Sequence, residues 1–481
     1  MRANRHVAFG GVLLSLVLSG CLPSLKDNPP REAKKDVPSQ FLASEAAAAR
    51  SGENISQKSW EEFFAEPELR ALIEAALANN QELNIRLQEI VIAYAEVQAR
   101  KGEYLPKLSA RAGAGVERVG KNTSQGVSDE AHELPENLGD FKFGLAGSWE
   151  IDVWRKLRNA ADAAQLRYFA QIEGRNFLIT ELVAEIARSY YELIAIDNEL
   201  EVLDKNIELQ MDALEVVRLE KLAARVTELA VQRFEAEVLK NKSRRYELEQ
   251  ERVQLENRIN FLVGRYPTKV ARDPVRLKSP LPEALSAGLP ADLLENRPDV
   301  RQAELELEAA KLDVKAAKAN FYPSLSIDAE VGYRSFNAQH LVATPDSLIY
   351  NLAGNLSAPL LNRAGIAAEY RTANAEQLRA VYQYEKTVLQ AFTDVVNQLA
   401  RMENLKKSYE LEAKQVEKLT ESVEISNVLF QSARADYMEV LMTRRDALDA
   451  ELELIETKKR QLLTMVSLYQ ALGGGWRVQK K

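Results

Sequence analysis

Tyr104-Leu105-Pro106-Lys107-Leu108-Ser109 and Phe321-Tyr322-Pro323-Ser324-Leu325-Ser326 are one motif written twice in a chain of 481 residues. Pro106 and Pro323 lie 217 positions apart. Upstream in the same register, Leu77-Ala78-Asn79-Asn80-Gln81-Glu82-Leu83 lies against Leu294-Glu295-Asn296-Arg297-Pro298-Asp299-Val300. Downstream, Leu145-Ala146-Gly147 matches Leu352-Ala353-Gly354 at an offset of 207, and Leu262-Val263-Gly264 matches Ala471-Leu472-Gly473 at 209. The unequal offsets place loops of different length between shared registers. A period of roughly 210 residues is far beyond solenoid repeats. The expectation is a duplicated domain, with a first repeat over residues 55–270 and a second over 271–481.

Each half reads helix, strand, strand, long helix, helix. In the first half a helix over 67–103 precedes strands near 107–118 and 140–152. Leu108, Ala110, Ala112, Ala114 and Val116 alternate with polar or small residues, and Phe141, Phe143, Leu145, Trp149 and Ile151 do the same. In the second half a helix over 298–320 precedes strands near 324–334 (Leu325, Ile327, Ala329, Val331, Tyr333) and 348–361 (Leu348, Tyr350, Leu352, Leu356, Leu360). Period two with one apolar face is the strand signature. Segments of about ten residues rich in small and aromatic side chains also fit membrane-barrel strands. The smallest such barrels have eight strands, so a barrel built from these four needs several chains.

Helices over 158–221 and 224–264 follow the first strand pair, and 365–431 and 434–472 the second. From Arg158 to Glu220 there is no proline and one glycine, Gly174. Ile179, Val183, Ile186, Tyr190, Leu193, Leu200 and Ile207 keep a 4,3 spacing, as do Val388, Phe392, Val395, Leu399 and Met402, which argues coiled coil. Some sixty-odd helical residues span ~95 Å. The expected class is mainly α with a small β part: a long antiparallel coiled-coil wall carrying four strands per chain.

Composition excludes other classes. Hydrophobic residues are 46% and charged ones 28%, so the chain is neither disordered nor a bundle of membrane helices. A net charge of −8 argues against nucleic acid as a partner. One cysteine excludes an internal disulfide and a multi-cysteine metal site, and three histidines offer little for catalysis. No cofactor or metal is expected, and no enzyme, because no nucleophile–base pair stands out. At the N-terminus, Arg2 and Arg5 precede an apolar run from Val7 to Leu18 that is too short to span a membrane. It ends Leu18-Ser19-Gly20-Cys21, which resembles the bacterial lipobox; residues 1–20 are then a signal peptide and Cys21 the lipid-attachment residue. Leu22 after the cysteine favours the outer membrane by the same resemblance. Residues 21–54, with Pro23, Pro29, Pro30 and Pro38, read as a lipid-anchored tether.

Read together, these features resemble the outer-membrane efflux protein family, the TolC-like channels, in their NodT-type lipoprotein subgroup. The resemblance covers nearly all of 55–477. Trp60-Glu61-Glu62-Phe63-Phe64 matches the approach to the first helix, and Ser148-Trp149-Glu150-Ile151-Asp152-Val153-Trp154 the end of the second strand. Leu289-Pro290-Ala291-Asp292-Leu293-Leu294-Glu295-Asn296-Arg297-Pro298-Asp299-Val300 and Tyr469-Gln470-Ala471-Leu472-Gly473-Gly474-Gly475-Trp476 carry the second half. The resemblance implies a homotrimer whose chains complete one β-barrel in the outer membrane above a helical tunnel. It implies a periplasmic adaptor and an inner-membrane pump, of resistance-nodulation-division type, as partners of a drug-efflux system.

It also implies roles for single residues. Helical-hairpin tips near Ala224, Arg225, Val226, Ser432, Ala433 and Arg434 face the adaptor. The family's usual turn glycine is replaced by Ala224 and Ala433, which puts the turn geometry in question. Acids just past the second tip line a periplasmic gate; Glu439 keeps such an acid, Asp436 lies one turn earlier, and Met442 replaces the other. Arg297-Pro298-Asp299 reads as a helix start and the glycines at 473–475 as a helix stop. Asp197 and Asp204 read as lumen-facing or interface polar residues. A type I protein-secretion channel of the same build, or a periplasmic coiled-coil scaffold lipoprotein, remain the competing functions.

Overall fold

The computed structural model describes residues 25–26, 28–38, 40–41, 55–280, 288, 290–361, 363–432 and 434–477. Cys21 and the signal segment lie outside them. After a single helical turn α1 (Trp60–Phe63) come α2 (Pro67–Asn79), α3 (Gln81–Glu103), β1 (Lys107–Glu117), α4 (Ser124–Ala131) and β2 (Leu138–Ile151). Then follow α5 (Lys156–Leu222), α6 (Glu228–Val263), α7 (Asp292–Asn296), α8 (Pro298–Ala319), β3 (Ser324–Ser335), β4 (Leu348–Ser357), α9 (Ala364–Gln431) and α10 (Tyr437–Ala471). Among the described residues no helix is long and apolar enough to cross a membrane.

Two compact units arise, and both draw on both halves of the sequence. One holds Ile90–Ala170 and Glu304–Gln383 with the described part of Met1–Ala33; the other holds Lys34–Glu89, Gln171–Ala303 and Tyr384–Lys481.

The first unit contains the sheet. Its four strands are antiparallel in the order β1-β2-β3-β4. The register puts every apolar alternation on one face: Ala112 opposite Phe143, Phe143 opposite Tyr333, Tyr333 opposite Leu348. Phe143 and Tyr333 stack with ring centroids 5.4 Å apart. The other face carries Ser109, Arg111, Lys142, Ser148, Asp328 and Glu330. The tryptophans of the 148–154 motif fasten the repeated Pro motifs: Trp149 Nε1 donates to the Tyr104 carbonyl at 3.0 Å and Trp154 Nε1 to the Pro323 carbonyl at 2.8 Å. The tether docks here as well, with buried Gln377 donating to the Arg31 carbonyl at 2.8 Å and Arg31 lying over Tyr382.

The second unit holds the core. Phe64, Leu69, Ile73, Ile186, Tyr190, Leu193, Ile259 and Tyr469 are almost fully buried together. The Phe63 and Tyr469 rings stack at 3.9 Å, and the Tyr469 hydroxyl donates to the Lys58 carbonyl at 2.8 Å. Each half closes this core with the same device. Asn80 Nδ2 donates to the Leu262 carbonyl at 2.9 Å, while the next glycine, Gly264, adopts φ 76° against the Asn79 carbonyl. In the second half Arg297 Nη1 donates to the Ala471 carbonyl at 3.0 Å, and Gly473 adopts φ 84° against the Asn296 carbonyl.

Several boundaries differ from the sequence reading. The single helix expected over 67–103 breaks at Asn80, whose ψ of 126° stops α2 and whose Oδ1 accepts from Leu83 N to begin α3. The strand expected to 361 ends at Ser357, because Pro359 supplies no ladder donor, so Leu360 lies outside it and is exposed. The helices expected from 224 and 434 begin at Glu228 and Tyr437, because turns occupy the residues before them. The short helix α4 in the β1–β2 loop was not foreseen; Thr123 caps it by accepting from Gly126 N at 3.1 Å.

A Cβ at Gly264 would come within 2.5 Å of the Asn79 carbonyl oxygen, and one at Gly473 within 2.6 Å of that of Asn296. The left-handed backbone alone costs an alanine ~1–2 kcal/mol. Gly264→Ala and Gly473→Ala should therefore each lower the thermal midpoint in detergent, followed by far-UV circular dichroism. Gly102→Ala, inside α3 with open space around it, should not lower the midpoint and should raise it if anything.

Candidate functional site

The hairpin tips are built by helix-ending chemistry. After α5, Arg225 N donates to the Glu220 carbonyl at 2.9 Å and Ala224 N to that of Lys221 at 2.9 Å, with Ala224 at φ 55°. This is the Schellman ending, with a left-handed residue where glycine is the usual choice. Ala224 thus keeps the turn that its lack of glycine put in question, at a steric cost. Arg434 N repeats the bond to the Leu429 carbonyl at 2.8 Å, while Ala433 lies outside the described residues. Ser432 Oγ donates back into the last turn of α9, to the Val428 and Leu429 carbonyls at 3.0 Å. Arg225 and Arg434 are exposed.

Val226 turns inward. With Tyr437 and Leu441 it packs on a cluster of Leu214, Val217, Val231, Phe234 and Val238, so α10 is held against the α5–α6 hairpin just behind the tip. Arg233 reaches the Met438 sulfur from α6.

Asp436 and Glu439 stand together and exposed at the start of α10. The Asp436 carboxylate is the helix N-cap, accepting from Met438 N at 2.7 Å and Glu439 N at 3.0 Å. Its charge sits where the helix dipole favours it. Glu439 has no ion pair among the described residues.

Two features escaped sequence reasoning. Arg444, five residues beyond Glu439, is partly buried without a carboxylate partner among the described residues. It donates to the Leu209 carbonyl at 3.1 Å and to Asn427 Oδ1 at 2.9 Å, tying α10 to α5 and α9. Burial pushes its guanidinium below the ordinary arginine range. Further from the tips, a groove of about 600 Å³ between α5, α6 and α10 is lined by Glu192, Glu199, Arg244, Arg258, Glu456 and Lys459, among others. Burial raises the carboxyls of Glu192 and Glu199, while Lys459 and nearby arginines oppose the shift. No local motif marks either feature, because each joins α10 to α5, as Arg444 does with Leu209 235 positions away.

Other residues singled out in the sequence become structural. Arg297 is buried and pairs with Asp299 at 2.7 Å and Asp394 at 3.4 Å; burial works against its charge and the two carboxylates more than restore it. Asp197 pairs with Arg272, which also binds Glu256 at 2.6 Å. Asp204 pairs with Arg245 at 2.7 Å. His132, one of the three histidines, closes α4 with its ring Nδ1 2.7 Å from the Ser128 carbonyl oxygen and was given no role by the sequence.

A family model for outer membrane efflux proteins matches residues 72–265 and 289–474. The chain is 26% identical over 464 residues to the cation efflux system protein CusC of Escherichia coli O6:H1, covering 96% of this chain and 98% of that one. It is 24% identical over 465 residues to the probable outer membrane lipoprotein SilC of Salmonella typhimurium, covering 96% and 97%. Among solved structures it superposes on the open state of the Neisseria gonorrhoeae outer membrane channel MtrE with a TM-score of 0.82 at 24% identity, covering 95% of this chain and 99% of that one.

Ala224→Gly should relieve the left-handed strain by about 1 kcal/mol, partly offset by the freer unfolded chain. Native-state hydrogen exchange through the α5–α6 hairpin should slow; faster exchange would show that the methyl group is held by a contact.

Proposed function

The chain belongs to the outer membrane efflux protein family, and on that premise we propose that it forms the trimeric outer-membrane channel of a tripartite efflux pump. The sheet carries this reading. One face is apolar on all four strands and the other polar, and β1 and β4 leave both edges of the sheet open within the chain. Open edges cannot stand in lipid, because their backbone groups lack partners. Pairing β1 of one copy with β4 of the next removes every edge, and three copies give about twelve strands, an even number within the barrel range. The apolar face meets lipid and the polar face lines the lumen.

The long helices work on the periplasmic side, where the tips at 224–226 and 432–434 meet a periplasmic adaptor. An inner-membrane transporter, of resistance-nodulation-division type, supplies the energy and most of the choice of substrate. The protein conducts small molecules and catalyses nothing. Cys21 carries the lipid that adds to its hold on the outer membrane, as the lipoprotein relative SilC supports. In a Cys21→Ala variant, labelled fatty acid should no longer be incorporated; persistent labelling would contradict the anchor.

At rest the tips must narrow, or the tunnel would breach the outer membrane. Asp436 and Glu439, three residues apart and exposed, place up to six carboxylates around a threefold axis. Such a ring selects cations and binds multivalent ones. Asparagine caps helices about as well as aspartate, so Asp436→Asn removes charge while keeping α10. Combined with Glu439→Gln it should weaken cation selectivity in single-channel recordings and raise the trivalent-cation concentration needed for block. Unchanged selectivity and block would assign the gate to other residues.

A further inference from the structure

The polar face of the sheet is not uniformly acidic. Successive rows across the strands can be read from the register. One row runs Arg111, Gly144, Gly332, Ile349, and the next runs Gly113, Lys142, Arg334. These two rows hold three cations and no acid. The rows on the α-helical side hold Glu330, Asp328 and Glu150, with Lys107. The rows on the loop side hold Asp140 and Glu117.

The cations are placed at some expense. Lys142 stands directly opposite Arg334, and like charges directly opposite each other destabilise a sheet. Asp140 bonds Arg334, accepting from its Nε at 2.8 Å and its Nη2 at 3.2 Å, and reaches Lys142 only through space. Arg111 and Lys142 make no ion pair or hydrogen bond among the described residues. Each has a glycine directly beside it across the β1–β2 pair, Gly144 opposite Arg111 and Gly113 opposite Lys142. Gly144 and Gly332 approach so closely that a Cβ on Gly144 would come within 2.5 Å of the Val331 carbonyl oxygen. Lys142 lies across Gly113, where a Cβ would fall 3.2 Å from its Cε. The result is a side-chain-free floor of glycine rimmed by Arg111 on β1, Lys142 on β2 and Arg334 on β3.

We propose that Arg111 and Lys142, supported by Arg334, form a cationic belt in the barrel lumen that binds carboxylate- or phosphate-bearing solutes in transit. The belt rests on the channel reading above, in which the polar face lines the lumen. Arginine offers a planar fork to such groups and lysine a compact charge, and the glycine floor leaves both heads uncovered. A cleft of one sign of charge concentrates counter-ions by ~10-fold or more. Threefold repetition multiplies the effect around the bore.

The test uses the purified full-length protein in planar bilayers, with inorganic triphosphate added on the side of the β1–β2 loop as a polyanionic probe. Wild-type current should be blocked, and the block should weaken from ~0.1 M to ~1 M salt as the screening length falls from ~10 Å to ~3 Å. Arg111→Gln with Lys142→Gln should raise the half-blocking concentration by at least ~10-fold and shift the reversal potential in a KCl gradient toward cation preference. Arg111→Lys with Lys142→Arg keeps the charge and should keep the block, as should Lys107→Gln outside the belt. Should the double neutral variant not insert, Lys142→Gln alone against the charge-keeping pair decides, with partial loss of block expected. Equal block in neutral and charge-keeping variants, or a conducting wild type indifferent to triphosphate, would overturn the belt. A wild type that inserts and conducts nothing would overturn the channel reading itself, and the belt with it.

Discussion

Each half of this chain is locked by a helix end pressed against a helix break. At one place the Leu262 carbonyl is received by Asn80 while Gly264 turns left-handed against the Asn79 carbonyl. At the other the Ala471 carbonyl is received by Arg297 while Gly473 does the same against Asn296. Helix C-termini leave carbonyls without partners, and burying them unmet costs about as much as a lost hydrogen bond. Here the partner comes from the residue that breaks or starts another helix, so one donor both ends a helix and fixes where the next begins. The aromatic core of Phe63, Phe64 and Tyr469 packs beside these junctions. The two donors differ, a neutral amide in one half and a guanidinium with two carboxylates in the other, so the duplication preserved the geometry and let the chemistry diverge.

In the sheet one alternation does two jobs. Apolar positions on all four strands share a face, which suits lipid, and the residues between them put fixed charge on the opposite face. The charges are sorted along the strands: three acids and Lys107 on the helical side, cations alone in the middle, acids again toward the loops. At the hairpin tips both signs occur, with exposed Asp436 and Glu439 beside exposed Arg225 and Arg434.

Much of this was legible in the sequence because it rests on period and repetition. The doubled Tyr-Leu-Pro and Phe-Tyr-Pro motifs announced the duplication, and the alternation in 141–151 and 325–333 announced strands whose apolar positions the register then aligned. What sequence could not supply depends on packing between distant segments. Asn80 sits inside a strongly helical stretch, and its break follows from a carbonyl 182 residues away. Asp197 reads as a lumen-facing or interface polar residue, and its partner Arg272, 75 positions on, leaves no sign in the local pattern. Asp436 read as a gate acid; that it also caps α10 required the turn after α9 to be placed. Arg444 carries no local signal, because its partners lie on α5 and α9.

The central claim is that the two faces of the sheet meet different media, lipid on one side and water on the other. The chain has one native cysteine, Cys21, so single cysteines can be added on the strands after it is removed. Spin labels at Leu145→Cys and Val331→Cys probe one face, and at Ser148→Cys and Ser326→Cys the other, in protein reconstituted into vesicles. The account predicts relaxation by lipid-soluble oxygen at positions 145 and 331, and by a water-soluble metal chelate at 148 and 326. Equal exposure of all four positions to the aqueous reagent would contradict it, and would return the chain to a water-borne scaffold.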